Sequence, residues 1–302
     1  MGSMKKSRVD SVFDIVNAAL LAVLLLILLY PLYFVLIASV SDPYAIAQGE
    51  VALFPVGFTM EAYQNIMKDS RIWLGYRNTI FYTVGGTALS LLLTIPAAYV
   101  LSKKDLPGRG ILTTYCLITM YFGGGLIPTY LIVKNIGLLN RAITLVVLGS
   151  ASIYNLIVTR SFFQSTLPDA LFESALIDGA SEFRMFISIA LPLSGSIIAV
   201  MALYFGVARW NEFFNALIYV SSTQFQPLQL VLRTLLLQSQ QAVLDAALTN
   251  DSEMLADAAR LALMAEAMKY AIIFIASAPL LIAYPFVQKH FVKGVMIGAL
   301  KG

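Results

Sequence analysis

The stretch Pro168–Pro192, PDALFESALIDGASEFRMFISIALP, is the most charged and turn-rich connection in a chain that is otherwise largely hydrocarbon. Thr166 or Ser165 is placed to cap a helix whose first turn holds Pro168 and Asp169, both favoured at a helix start. Leu171, Phe172, Ala175 and Leu176 then share one face at i, i+3, i+4 spacing, with Glu173 to the side. Gly179 ends that helix, because glycine adopts the left-handed C-terminal conformation at little cost. Ser181 is placed to cap a second helix that runs through Phe183, Phe186 and Ile187 towards Pro192. The stretch therefore reads as a helix–Gly–helix elbow.

Composition decides what surrounds the elbow. Of 302 residues, 59% are hydrophobic and only 12% are charged, with a mean hydropathy of +0.80. A water-soluble domain carries about 25% charged residues, so the chain reads as an all-α polytopic membrane protein. Apolar runs of helix-spanning length recur, and open strands cannot cross lipid. Six transmembrane helices are expected at about 13–40, 77–101, 111–133, 142–162, 193–220 and 270–288. Lys5, Lys6 and Arg8 before the first run invite a signal-peptide reading, but the run from Ile15 to about Val40 is long enough to be a retained span. An even number of spans puts both termini on one side. Lys and Arg are denser in the segments on that side, which makes the termini and the elbow cytoplasmic. Connections at about 41–76 and 221–269 then lie outside, and the second is expected to hold two helices packed on the span ends.

The chemistry-bearing residues are few. Cys116 is the single cysteine and His290 the single histidine, which argues against an internal disulfide, a histidine-based metal site and a Ser–His triad. No GxxxxGK[ST] stretch provides a phosphate-binding loop. Within the fifth span, Arg209, Trp210, Asn211 and Glu212, with Asn215 further on, combine charge, a stacking face and two amides. Charges at membrane depth usually face a bundle interior or an aqueous cavity, and this mixture suits a polyhydroxylated ligand. The alternative is an Arg209–Glu212 pair at i, i+3 that satisfies itself. Asn78 and Thr79 open the second span, with Tyr82 one turn later, and Tyr121 and Tyr130 bracket Gly123-Gly124-Gly125 in the third. Those glycines read either as a deformed helix packed closely on its neighbours or as a broken segment lining a cavity. The acidic group Asp245, Asp251, Glu253 and Asp257 reads as a solvated helix face.

In the elbow, Glu173-Ser174-Ala175, Asp178-Gly179-Ala180 and Ile189-Ala190-Leu191-Pro192 resemble the EAA motif of permease subunits of bacterial ABC importers, with Ser174 the one departure. The resemblance continues at 97–102 (AAYVLS), 124–130 (GLIPTY after the first glycine), 210–213 (WNEF) and 284–289 (YPFVQK), which look like the carbohydrate-uptake branch. The ending at 291–302, FVKGVMIGALKG, is similar to LplC- and YtcP-like permeases.

What the resemblance implies is a single transmembrane domain over 1–302, with a cytoplasmic coupling loop at 163–192 and an extracytoplasmic helical loop at 221–269. It implies a multi-pass subunit of the bacterial cell membrane, paired with a second, non-identical permease, two ATPase subunits and an external solute-binding protein. No nucleic acid is expected. The chain would hold no cofactor and perform no catalysis, ATP and Mg being bound by the ATPases. Leu171, Phe172, Ala175 and Leu176 would be the docking face, Glu173 and Asp178 its rim, Ala180 a point of close approach, and Gly179 and Pro192 the fixed ends. The substrate would be an oligosaccharide, with uronate-containing fragments suggested by the subgroup, passing Asn78, Tyr121, Arg209, Trp210, Asn211, Glu212 and Asn215. The competing classes are an ion- or proton-coupled secondary transporter, whose marker would be a charged relay in several spans, and a membrane enzyme, for which no His, Cys or carboxylate constellation is present.

Overall fold

A computed structural model describes residues 8–247, 263–265, 267–282 and 285. In chain order the helices are α1 (Arg8–Ala38), α2 (Pro43–Ala47), α3 (Glu61–Lys68), α4 (Ser70–Ser102), α5 (Arg109–Tyr121), α6 (Leu126–Asn135), α7 (Ala142–Val147) and α8 (Ile153–Thr166). They continue as α9 (Asp169–Ile177), α10 (Glu182–Met185), a π-helical turn (Phe186–Ala190), α11 (Leu191–Leu193), α12 (Gly195–Trp210), α13 (Phe214–Tyr219) and α14 (Leu228–Ala247). A further helical run covers Leu263–Ile282. No strand occurs among the described residues. The chain divides into two compact units, residues up to 69 with 234–277, and residues 70–233 with 278 onward.

In the first unit, α1 is apolar enough to cross a membrane over Val12–Ala38, and almost none of it is covered by the chain itself. Beyond its end, Ile37, Ala45 and Val51 form a small core with Phe34, Ile46 and Val56. Asp42 caps α2, its carboxylate accepting from the Tyr44 amide at 2.7 Å.

In the second unit, α4 is the axis. At 33 residues it is about 50 Å long at 1.5 Å per residue. α12 lies against it where side chains are small: an added Cβ at Gly206 would stand 3.8 Å from Thr87 Oγ1. At Gly86 an added Cβ would stand 2.8 Å from Arg209 Nε, so only glycine lets that arginine pass. α8 packs on the other end of α4 through Ile95, Ala98, Tyr99, Leu156 and Phe163.

The span expectations hold unevenly. α4 starts seven residues early, at Ser70, so Trp73 and Tyr76 lie within a helix and not in a loop. The third span is broken: α5 and α6 meet at 110°, with Gly125 at φ 83. Of the two readings of Gly123–Gly125, the break in the helix is observed. The fourth is not one helix, because Gly149 takes φ 73 and Ser152 caps α8 through the Asn155 amide, leaving 148–152 as an irregular link. The fifth ends at Trp210 and restarts at Phe214. The run Glu182–Leu193 meets α12 at 78°. Among the described residues, three helices qualify as spans by length and composition, or up to five with each bent pair taken as one. The segment 221–269, expected to lie outside, does contain a helix, α14. Of its expected second helix, 253–269, only 263–265 and 267–269 are described, and these are helical; most of the acidic group, His290 and the motifs at 284–302 lie outside the described residues, apart from Pro285.

Candidate coupling and pathway sites

The elbow forms as its sequence dictates, with one change at its start. α8 runs on through Thr166, so neither Ser165 nor Thr166 caps the next helix; Ser165 Oγ instead donates to the Phe162 carbonyl at 3.4 Å. The chain turns at Leu167, and Pro168 precedes α9 in an extended conformation. At the other end the Gly179 amide donates to Leu176 O at 3.0 Å and the Ala180 amide to Ala175 O at 2.9 Å. With Gly179 at φ 75, this is a Schellman closure. Ser181 then caps α10, accepting from the Arg184 amide at 3.3 Å. Pro192 has no N–H to give the Ser188 carbonyl, and just before it the Leu191 amide bonds Phe186 O in a π-type turn.

Two consecutive lysines just past α4 hold the two arms of the elbow. Lys104 Nζ meets Asp169 Oδ2 at 2.7 Å, at the first residue of α9. Lys103 Nζ meets Glu182 Oε2 at 3.2 Å, at the first residue of α10. Lys103 also lies 4.4 Å from the Phe172 ring centre and 4.9 Å from that of Tyr99. The hydrogen bond and charge of Lys104 hold the Asp169 carboxyl below the usual carboxylate range. Burial is the largest single influence on Lys103 and pulls its ammonium down, but its bonds and charge interactions with Tyr99 and Glu182 together carry it above the ordinary lysine value.

This anchoring fixes which face of α9 is free. Phe172 packs inward on Tyr99, with ring centres 6.1 Å apart, and Ala175 is half-buried. Leu176 borders a cleft of about 420 Å³ shared with Lys103, Lys104 and Glu173. The face turned away from that cleft presents Ala170, Ser174 and Ile177, the last 86% exposed, with Glu173 at the edge between the two. The face assigned from spacing is thus divided. Phe172 and Ala175 are half-buried, Leu171 and Leu176 are exposed, and Ile177, outside the face assigned from spacing, is more exposed than either. A hollow of about 210 Å³ lies between the two arms, bordered by Ala175, Asp178, Ala180 and Arg184.

The residues expected along a pathway are largely occupied with one another and with backbone. Arg209, 6% exposed, donates through Nη1 to Leu145 O at 2.7 Å and to Leu148 O, and through Nη2 to Ser150 Oγ at 3.1 Å. It thereby closes the C-terminal end of α7 at the break in the fourth span. Glu212 is engaged by Asn215, through the amide N–H at 3.1 Å and Nδ2 at 2.9 Å. No ion pair joins Arg209 to Glu212 among the described residues, so the i, i+3 pair is not formed. Asn78 Nδ2 donates to Gln224 O at 2.8 Å and Gln226 O at 3.0 Å, while Thr79 Oγ1 accepts from the Leu228 amide at 2.8 Å. Trp210 is buried with its ring centre 6.3 Å from that of Tyr76. Asn211 is exposed and bonds Val207 O at 3.0 Å, and Tyr121 is 74% exposed beside the break in the third span. Asn78, Arg209, Trp210, Glu212 and Asn215 lie in one unit, and Arg209 and Glu212 border a single narrow gap with Tyr82.

No family model matches the chain. It is 39% identical over 300 residues to protein LplC of Bacillus subtilis (strain 168), covering 99% of this chain and 98% of the relative. It is 35% identical over 293 residues to the polygalacturonan/rhamnogalacturonan transport system permease protein YtcP of the same strain, covering 97% and 99%. Among solved structures, a bacterial ABC transporter involved in the import of the acidic polysaccharide alginate superposes with a TM-score of 0.82 at 32% identity, over 96% of this chain and all of that one. A broken-helix membrane domain with an EAA-type elbow and full-length relatives of this kind places the chain in the carbohydrate-uptake family of ABC transporter permeases.

Proposed function

We propose that the chain is the membrane-crossing subunit of an ATP-driven, binding-protein-dependent importer of oligosaccharides, and that α9 with its Gly179 turn is the handle gripped by a separate ATPase. The observation that carries this reading is the exposed face Ala170, Ser174 and Ile177 on a short helix whose other side packs on Tyr99 through Phe172 and whose two arms are tied to the end of α4. A helix held in this way moves with α4 as a body, so force applied at the elbow reaches the span. Hydrolysis of ATP, bound with Mg, belongs to the two ATPase subunits, and a second permease completes the pathway. The working site is the cell membrane of a bacterium.

Cross-linking tests the handle. Cysteine at Ile177 should bond to the ATPase in the assembled importer, and cysteine at Phe172 should not. The reverse pattern would remove the proposed face, and transport by the isolated chain would favour an ion-coupled carrier instead.

The substrate class extends to uronate-containing oligosaccharides, a reading supported by the names of YtcP and of the alginate importer. Arg209 does not supply that preference in the described arrangement, since its donors face backbone carbonyls and Ser150. Selection is then expected in the solute-binding protein, which should retain uronate oligosaccharides over neutral ones in a binding assay. Equal or absent binding of uronates would leave only the oligosaccharide class.

A further inference from the structure

The loop that follows the first span carries large apolar side chains and is held against that span. Leu53, Phe54 and Phe58 are 62%, 75% and 72% exposed in the stretch ALFPVGF at 52–58. The loop's backbone is nevertheless fixed. The Asp42 amide donates to Val56 O at 2.9 Å, the Val56 amide to Ser41 Oγ at 3.2 Å, and the Thr59 amide to Val40 O at 2.9 Å. Gly57, at φ 61, sits so close to Asp42 that an added Cβ would stand 2.8 Å from the Asp42 Cβ. Val51 is buried in the core beneath.

Two tyrosines of α1 reach the loop. Tyr30 Oη donates to Ala52 O at 3.2 Å, and Tyr33 Oη donates to Leu53 O. Tyr30 lies eight residues before the end of α1, about 12 Å along the helix axis. The loop therefore folds back along the span it has just left and does not project away from it. Carbonyls in such a position are costly unless bonded, and the tyrosine hydroxyls bond two of them. Val12–Ala38 is 27 residues long, about 40 Å against a hydrocarbon core of about 30 Å. The outer end of α1 and the loop beside it thus fall in the headgroup layer, where aromatic side chains with one wet end are favoured.

We propose that the 52–58 loop is an interfacial anchor that inserts Leu53, Phe54 and Phe58 into the outer leaflet of the bilayer. The occupant is lipid because the exposed residues add to the apolar surface of the same end of α1, where Leu32 and Leu36 are 63% and 46% exposed. The loop carries no charged residue from Val51 to Met60, leaving the bilayer's apolar layer as its match.

Spin labelling of the assembled importer in lipid discs tests this. With Cys116 replaced by serine, labels at Phe54→Cys and Gln48→Cys are compared for access by oxygen and by a water-soluble nickel chelate. The proposal requires the oxygen-to-chelate access ratio at position 54 to exceed that at position 48 several-fold, and to fall when Tyr30→Phe and Tyr33→Phe are combined. A chelate-accessible label at 54, or one protected from both reagents as under a partner subunit or docked binding protein, overturns it. Substrate transport by the Tyr30→Phe, Tyr33→Phe variant is a separate reading and leaves the importer assignment untouched.

Discussion

Two groups of polar side chains hold the second unit together, and they do so with opposite chemistry. In the span region, Arg209, Asn78 and Thr79 bond backbone atoms: helix-end carbonyls, loop carbonyls and an amide. At the elbow, Lys103 and Lys104 meet carboxylates in partly or fully open surroundings. A buried cation tied to fixed carbonyls cannot be replaced by water when it lets go. A surface ion pair can, and each such pair contributes little. The first group suits a part that must keep its shape; the second suits a part that must bind and release a partner.

The sharpest way to break this contrast is Arg209→Leu, which leaves Leu145 O and Leu148 O without their donor. It should cost about 2–4 kcal/mol of stability, read as a large drop in the thermal transition in detergent. Uptake of neutral and acidic oligosaccharides should fall together. Selective loss of acidic substrate would instead make Arg209 a ligand. Gly86→Val should reproduce the defect from the other side by displacing the guanidinium.

Gly179→Val comes next. Its φ of 75 costs a β-branched residue about 1–2 kcal/mol, confined to the elbow. The variant should insert and assemble at normal abundance yet lose most transport and most substrate-stimulated ATPase activity. Normal uptake would remove the elbow from the coupling path.

The smallest effects belong to the lysine pair. Lys103→Ala should cost about 1 kcal/mol, combining a partly screened ion pair with a cation–π contact, and Lys104→Ala less. Both effects should shrink as salt is raised. The signs of the two shifts set the pH window. Asp169 is depressed, so its tie is fully present above the ordinary carboxylate pKa of about 4 and is lost as pH falls through its lower folded value. Lys103 is raised, so its tie is fully present below the ordinary lysine pKa of about 10.4 and is lost as pH rises through its higher folded value. Hydrogen exchange of α9 amides should therefore show these two ties unchanged across the neutral range. A step near pH 7 would mean that another group controls the elbow.

The same contrast explains what could be read from sequence. The elbow was legible because its signals are local: Asp169 in the first turn, Gly179 at the stop, Ser181 at the next cap. Its inward face was not, because Phe172 is turned by Tyr99 and Lys103, residues about 70 positions away. The broken third span was signalled by Gly123–Gly125 as one of two readings. The breaks after Val147 and Trp210 were hidden in continuous apolar composition, although Gly149 and the cap at Ser152 carried a usable hint. Spacing paired Arg209 with Glu212 on the assumption of an unbroken helix. Because α12 stops at Trp210, Glu212 turns instead to Asn215.

The length of α4 has a consequence of its own. One uninterrupted helix touches the elbow at its last turn and, near its start, grips the Gln224–Leu228 segment through Asn78 and Thr79. An axial shift of that rod alters both attachments together, which makes them thermodynamically linked, and linkage is symmetric. On the proposed function, whatever factor nucleotide-driven closure at the elbow applied to solute affinity, solute would return to the closure equilibrium unchanged. Titrating solute while measuring ATPase affinity, and then the converse, should give the same number.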